Sequence, residues 1–149
     1  MTTAHIDSIC AACKRAWPIE LTQEISGNQL KWRERFACEC GHGFEAAGVG
    51  LPTPGVRQAL LAQLGTVRAW VDAMKSKAHA VTALAMLKGV THQEIADSLK
   101  KLPAVGYEGT PVEAEFVATA LTRAGATVRI APVKAKPIKA KAKPKPRLH

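Results

Sequence analysis

The residues of this chain best suited to chemistry are its four cysteines, which come in two close pairs. Cys10 and Cys13 are separated by two residues, and Cys38 and Cys40 by one. Two such pairs, brought together by the fold, can surround one ion tetrahedrally, the coordination that zinc adopts in structural sites. Four sulfur ligands leave no position open for a substrate, so we expect one structural zinc ion with no catalytic role.

Other interpretations of the cysteines lead to different sites. Unligated buried cysteines would not explain the two close pairs. Iron–sulfur ligation uses the same thiolates and stays open. Disulfide bonding is disfavoured, because the N-terminal residues carry no signal-peptide pattern that would indicate export. The spacing of Cys38 and Cys40 is shorter than the usual two-residue spacer, so His42 is an alternative ligand to Cys40.

The residues between the cysteine pairs predict a hairpin that would bring the pairs together. Residues 17–25 alternate enough for a strand, 26–29 read as a turn, and 30–37 alternate strictly. Phe44 starts a short return strand, and the glycines around His42 permit a tight turn. This arrangement resembles the zinc ribbon, a small three-stranded module, over roughly residues 5–48.

The second predicted strand places three cations on one face. Lys31, Arg33 and Arg35 alternate with Leu30, Trp32, Glu34 and Phe36, which point to the other side. Cations beside aromatic residues can contact a nucleic-acid backbone or base, so these three are candidate nucleic-acid-binding residues. A solvated polar face is the alternative interpretation.

The net charge of +9 is concentrated at the C-terminal end. Residues 131–149 carry +7 and no acid, which leaves +2 for residues 1–130. The prolines of this segment disfavour helix and sheet, so we expect a disordered basic tail that neutralises phosphates with little sequence preference. A solubilising terminus is the alternative. The candidate nucleic-acid-binding residues of the tail are Lys134, Lys136, Lys139, Lys141, Lys143, Lys145 and Arg147.

The middle of the chain predicts a second domain. Residues 49–65 begin with glycines and prolines and continue into a short helical pattern, which indicates a linker and a short helix. Residues 66–74 fit a strand or a helical face equally well. Helices are predicted over 78–88, after a capping box at Thr91, and after another at Thr110, and Gly125 separates the last helix from a strand over 127–130.

Residues 66–130 resemble the C-terminal domain of the bacterial ribosomal stalk protein. The resemblance is carried by Gly89-Val90-Thr91 through Leu102-Pro103, Glu108-Gly109-Thr110, Glu113-Ala114-Glu115, and Leu121 through Ile130. It implies three helices on one face of a three-stranded antiparallel sheet, with strands over 66–74 and 104–107. That family recruits translation factors, so Lys75, Lys77 and Lys88 are candidate protein-binding residues.

The sequence therefore predicts an α+β protein: a zinc ribbon (1–48), a linker and short helix (49–65), a stalk-like domain (66–130) and a basic tail (131–149). We expect a cytoplasmic, non-enzymatic accessory factor of bacterial or phage origin. Its expected partners are RNA or DNA and a protein such as the ribosome, a translation factor or RNA polymerase, with no membrane and no small-molecule substrate. The alternative is a helix-turn-helix DNA-binding regulator, because residues 89–99 resemble the first helix of that motif.

Overall fold

The computed structural model describes residues 1–88, 91–133 and 147–148. The predicted α+β class is confirmed in these residues. The elements in chain order are β1 (Thr2–Ile6), β2 (Ser8–Ile9), β3 (Ile19–Ser26), β4 (Gln29–Ala37), β5 (Gly43–Val49), α1 (Pro54–Leu64), β6 (Val67–Met74), α2 (Lys77–Lys88), α3 (His92–Ser98), β7 (Ala104–Gly109), α4 (Pro111–Arg123), β8 (Ala126–Pro132) and β9 (Arg147–Leu148).

The chain divides into two compact units. Of the described residues, the first contains 1–64 and 147–148, and the second contains 65–88 and 91–133. The first unit is built on an antiparallel sheet of order β1-β3-β4-β5. It has four strands where the zinc-ribbon resemblance implied three, because β1 alternates exposed and buried residues and pairs with β3 along its whole length.

Helix α1 belongs to the first unit. Val56 and Leu60 on this helix are buried in the same apolar cluster as Ile19, Leu21 and Phe36 of the sheet. The short helix predicted within residues 49–65 is therefore present, and it packs into the core of the first unit. Because the helix has an apolar face, burying it against the sheet is more favourable than exposing it.

The second unit has a three-stranded antiparallel sheet of order β7-β6-β8. Residues 66–74, which fit either type of element in the sequence, form the central strand β6. Ala69 and Val71 of this strand are fully buried, in one cluster with residues from α2, α3 and α4, so the three helices share one face of the sheet. The two strands that the stalk resemblance implied are present, as β6 and β7.

Capping boxes begin two of the helices, as the sequence predicts. Thr91 caps α3 and Thr110 caps α4, and each threonine side chain accepts the amide of a glutamate three residues later. The second box is buried: Glu113 is 1% exposed and also accepts the Tyr107 hydroxyl at 3.0 Å. The start of α4 is thus joined to β7 by side chains.

The predicted basic tail differs from the structure at both of its ends. Ala131 and Pro132 belong to β8, which pairs with β6, and Arg147–Leu148 forms β9, which pairs in parallel with β2. Residues 134–146 lie outside the described residues, so the disorder predicted for them stays a prediction.

Candidate metal centre

The first cysteine loop is closed by two backbone hydrogen bonds. The amide of Cys10 donates to the carbonyl of Arg15, and the amide of Lys14 donates to the carbonyl of Cys10, both at 2.9 Å. Lys14 lies in the left-handed region with φ of 62°. This conformation lets the chain turn tightly enough for Cys10 and Cys13 to face the same point.

The second cysteine loop repeats this arrangement with one residue fewer. The amide of Cys38 donates to the carbonyl of His42 at 2.9 Å, and the amide of Gly41 donates to the carbonyl of Cys38 at 3.0 Å. Gly41 has φ of 93°, which a glycine adopts without strain. It occupies the place that Lys14 takes in the first loop, immediately before the residue whose carbonyl closes the turn.

The two loops bring all four sulfur atoms within 4.8 Å of one another. The Sγ atoms of Cys10 and Cys40 are 3.7 Å apart, and those of Cys13 and Cys38 are 3.5 Å apart. Four sulfurs at about 2.3 Å from a tetrahedral ion would be about 3.8 Å from one another. The predicted four-cysteine cluster is therefore present, and its dimensions fit one bound metal ion.

Backbone amides donate to two of the four sulfurs, but the pKa values of these two cysteines shift in opposite directions. A hydrogen bond from the Cys13 amide lowers the pKa of Cys10 to about 6, against the effect of burial and with further contributions from the Ala12 amide and the neighbouring thiols. For Cys38, the Cys40 amide lowers the pKa, but burial and the surrounding thiols outweigh it and raise the pKa to about 12. An ion bound here would displace the proton of Cys38 and supply the positive charge that the four sulfurs share.

The cluster is part of the core of the first unit. Cys10 is completely buried and Cys38 is 7% exposed, whereas Cys40 is exposed to solvent. His42, the alternative ligand, is not one of the clustered groups, and its ring lies edge-on to Phe36 with centroids 6.3 Å apart. The geometry favours Cys40 over His42 as the fourth ligand.

The three cations of β4 lie on the exposed face of the sheet, as the alternation predicts, but glutamates surround them. Arg33 approaches Glu45 to 3.5 Å. Three cations and three carboxylates on this face cancel formally, so it is not a basic surface. The cross-strand partners in the register are Glu24 with Lys31, and Glu20 and Glu45 on either side of Arg35.

The candidate protein-binding lysines lie at the two ends of α2, the first helix of the second unit. Lys75 and Lys77 are exposed near its start, and Lys88 is its last residue. Lys77 also lines a groove of about 350 Å³ between α2 and α3, with His92 and Gln93 on its other side. The groove adjoins the buried side chain of Val81, so it combines an apolar floor with polar sides.

The helix that resembles the start of a helix-turn-helix has a different continuation. Helix α3 is followed by strand β7, which pairs with the central strand β6. The next helix, α4, packs its buried face onto the same sheet. A helix-turn-helix places its recognition helix after three or four turn residues, and a strand occupies that place here.

Two features of the metal centre have weak sequence signals. Lys14 adopts the left-handed conformation without being a glycine or asparagine, so nothing in its type predicts the first turn. The amides that donate to sulfur belong to Ala12, Cys13 and Cys40, and amide orientation depends on the folded backbone alone. The only sequence signal that could have located the two turns and these amides is the spacing of one or two residues within each cysteine pair.

Comparisons with known proteins do not place the chain in a family. No family matches it, and neither a curated protein nor a solved structure shows a significant similarity to it. Among the described residues, no helix combines the length and apolar character that a bilayer crossing requires. Fold and site together define a two-unit α+β protein with four clustered cysteines that could bind one metal ion.

Proposed function

We propose that the four cysteines hold one structural zinc ion and that the first unit is a zinc ribbon with an additional edge strand. The observation that carries this proposal is the sulfur cluster, whose shortest separations of 3.5 and 3.7 Å suit a single tetrahedral ion. A multi-iron cluster would have to lie between sulfurs that are all within 4.8 Å, which leaves little room for it. Zinc also matches an all-thiolate ligand set without redox chemistry.

A non-enzymatic role is part of the same proposal. Four protein ligands complete the coordination sphere, so the ion would have no position for water or a substrate. Its contribution would be to fold the first unit, whose apolar cluster includes two of the ligands, Cys10 and Cys38.

The proposed partner of the C-terminal segment is nucleic acid. Residues 131–149 carry +7 of the chain's net +9, and binding to phosphates would release counterions whatever the base sequence. The cations of β4 face glutamates across the strands, so their contribution to this binding should be small. We place the interaction in the C-terminal segment for this reason.

The groove between α2 and α3 is the proposed site for a protein partner. It would serve an adaptor that joins nucleic acid to a protein such as a translation factor or RNA polymerase, as the stalk resemblance suggests. Lys77 beside an apolar floor favours a partner with an acidic side chain next to an apolar one. Lys77 is exposed, so Lys77→Glu should weaken binding of this partner without disturbing the core, and the chain should keep its metal and its nucleic-acid binding.

Metal analysis of the purified full chain tests the zinc proposal. We expect about one zinc per chain, loss of the metal in Cys10→Ser, and full retention in the control His42→Ala, which alters an exposed residue of the second loop outside the sulfur cluster. Iron in place of zinc, or no bound metal in a folded first unit, would refute the proposal.

Salt-dependent binding of mixed-sequence RNA and DNA tests the nucleic-acid proposal. Affinity should fall steeply with salt, and truncation after Val133 should remove most of it, because each lost phosphate contact lowers the salt slope by about 0.7–0.9. The matched control replaces Lys31, Arg33 and Arg35 with alanine and should change affinity by less than about threefold, since these cations face carboxylates. A larger loss in the β4 variant than in the truncated chain would overturn this placement.

A further inference from the structure

The two edges of the first sheet are protected differently. At one edge, α1 packs beside β1, and the amide of His5 donates to Oε1 of Gln63 at 2.8 Å. The other edge is β5. Within the described part of the chain, no strand pairs with its outer side.

The hydrogen bonds at the ends of β5 show which backbone groups point outward. The Gly50 amide donates to Leu30, and the Cys38 amide donates to His42, so Leu30–Gly50 and Cys38–His42 are hydrogen-bonded pairs. Such pairs alternate along an antiparallel ladder, which makes Phe44, Ala46 and Gly48 the residues bonded to β4. The residues whose amides and carbonyls face the open edge are Gly43, Glu45, Ala47 and Val49.

This edge has few of the features that normally prevent strand addition. Edge strands are usually protected by lysine, proline, a bulge or a covering element. Strand β5 pairs with β4 without a register shift, contains neither lysine nor proline, and has Glu45 as its one charged residue. Its outward residues are all exposed, Val49 to 62%.

We infer that β5 pairs antiparallel with β5 of a second copy of this chain, centred on Ala46. Centred there, the outward residues pair with one another along the whole strand, Gly43 with Val49 and Glu45 with Ala47 of the second copy. The small Ala46 side chains meet at the two-fold axis, where strands approach most closely, and both copies present the same surface.

The side chains favour this register over the one centred on Glu45. Centring the pair on Glu45 would place two carboxylates directly opposite each other, which is unfavourable. Centring it on Ala46 places Phe44 opposite Gly48 of the second copy, a position without a side chain. The indole of Trp32 lies over Gly48, where an added Cβ would be 2.7 Å from Nε1, so Phe44 of the second copy would add to a half-buried aromatic surface.

A charge-reversal pair at the axis tests this register. In analytical ultracentrifugation, the full metal-loaded chain should reach twice its 15.9 kDa mass as concentration rises. Ala46→Glu should stay monomeric, because its carboxylate would meet that of the second copy across the axis, with Glu34 of each copy beside it, and an equimolar mixture with Ala46→Lys should dimerise. Ala46 is exposed, so neither substitution disturbs the core.

The matched control moves the same charge by one residue. Ala47→Lys should dimerise at least as well as the unmodified chain, since residue 47 pairs with Glu45 of the second copy in this register. A chain that stays monomeric at all concentrations overturns the inference, and so does a dimer that survives Ala46→Glu. The readout is mass, so it is independent of whether the proposed nucleic-acid and protein partners bind.

Discussion

Among the described residues of the first unit, eight buried ones form the apolar cluster and two of these are the cysteines Cys10 and Cys38. Among those described in the second unit, twelve buried ones form the cluster, and none is a cysteine. In the second unit, the buried capping box also connects α4 to strand β7. In the first unit, the sulfur cluster connects the two cysteine loops. A small core that a bound metal would stabilise and a larger core stabilised by apolar burial should respond to different perturbations.

Metal removal should have the largest effect and should separate the two units. Chelation, or Cys38→Ser, should unfold the first unit, because structural zinc contributes roughly 10 kcal/mol or more to the folding of small modules. Amide hydrogen exchange would show loss of protection in β3 and β4 and unchanged protection in β6 and α4. Restoring zinc to the chelated chain should restore protection, and protection that survives chelation would contradict the dependence on metal.

Shortening a buried side chain in the core of the second unit should have the next largest effect. The loss of stability should fall on the second unit and leave the first unit unchanged. Leu121 is completely buried against the sheet, so Leu121→Ala should lower the free energy of unfolding of the second unit by about 2–5 kcal/mol. Denaturant unfolding followed by exchange would measure it. Zinc content should stay at one per chain, and a loss of metal in this variant would show that the units are not independent.

The buried capping box should contribute less. Glu113→Ala would leave the Tyr107 hydroxyl and the Thr110 amide without this acceptor, at a cost of about 1–3 kcal/mol to the second unit. Glu115→Ala is the matched control on the same helix, since Glu115 is exposed. Equal melting temperatures of the two variants would contradict a stabilising role for the buried carboxylate.

The ion pair between the cysteine loops should contribute least. Arg15 Nη1 lies 3.7 Å from a carboxylate oxygen of Glu39, and both side chains are about two-thirds exposed. Arg15→Ala should lower stability by less than about 1 kcal/mol, because water and salt screen the pair. Zinc release by a competing chelator would measure the effect, and a large acceleration would show that the pair helps to close the site.

The sequence alone determined which residues could form the metal site and where several elements begin. Cysteine spacing predicted the ligand set because thiolates around one ion must come from tight turns, and the Thr91 and Thr110 boxes predicted helix starts because capping is a local interaction. These signals depend on residues two or three positions apart. The chain therefore contains them before it folds.

Only the tertiary structure decided the features that depend on distant residues. Residues 66–74 became a strand because β7 and β8 pair with them on both sides, and residues 2–6 became a fourth strand because β3 accepts them. The cations of β4 are neutralised because the register places glutamates beside them. Pairing and register join residues far apart in the chain, and local propensity carries little information about such partners.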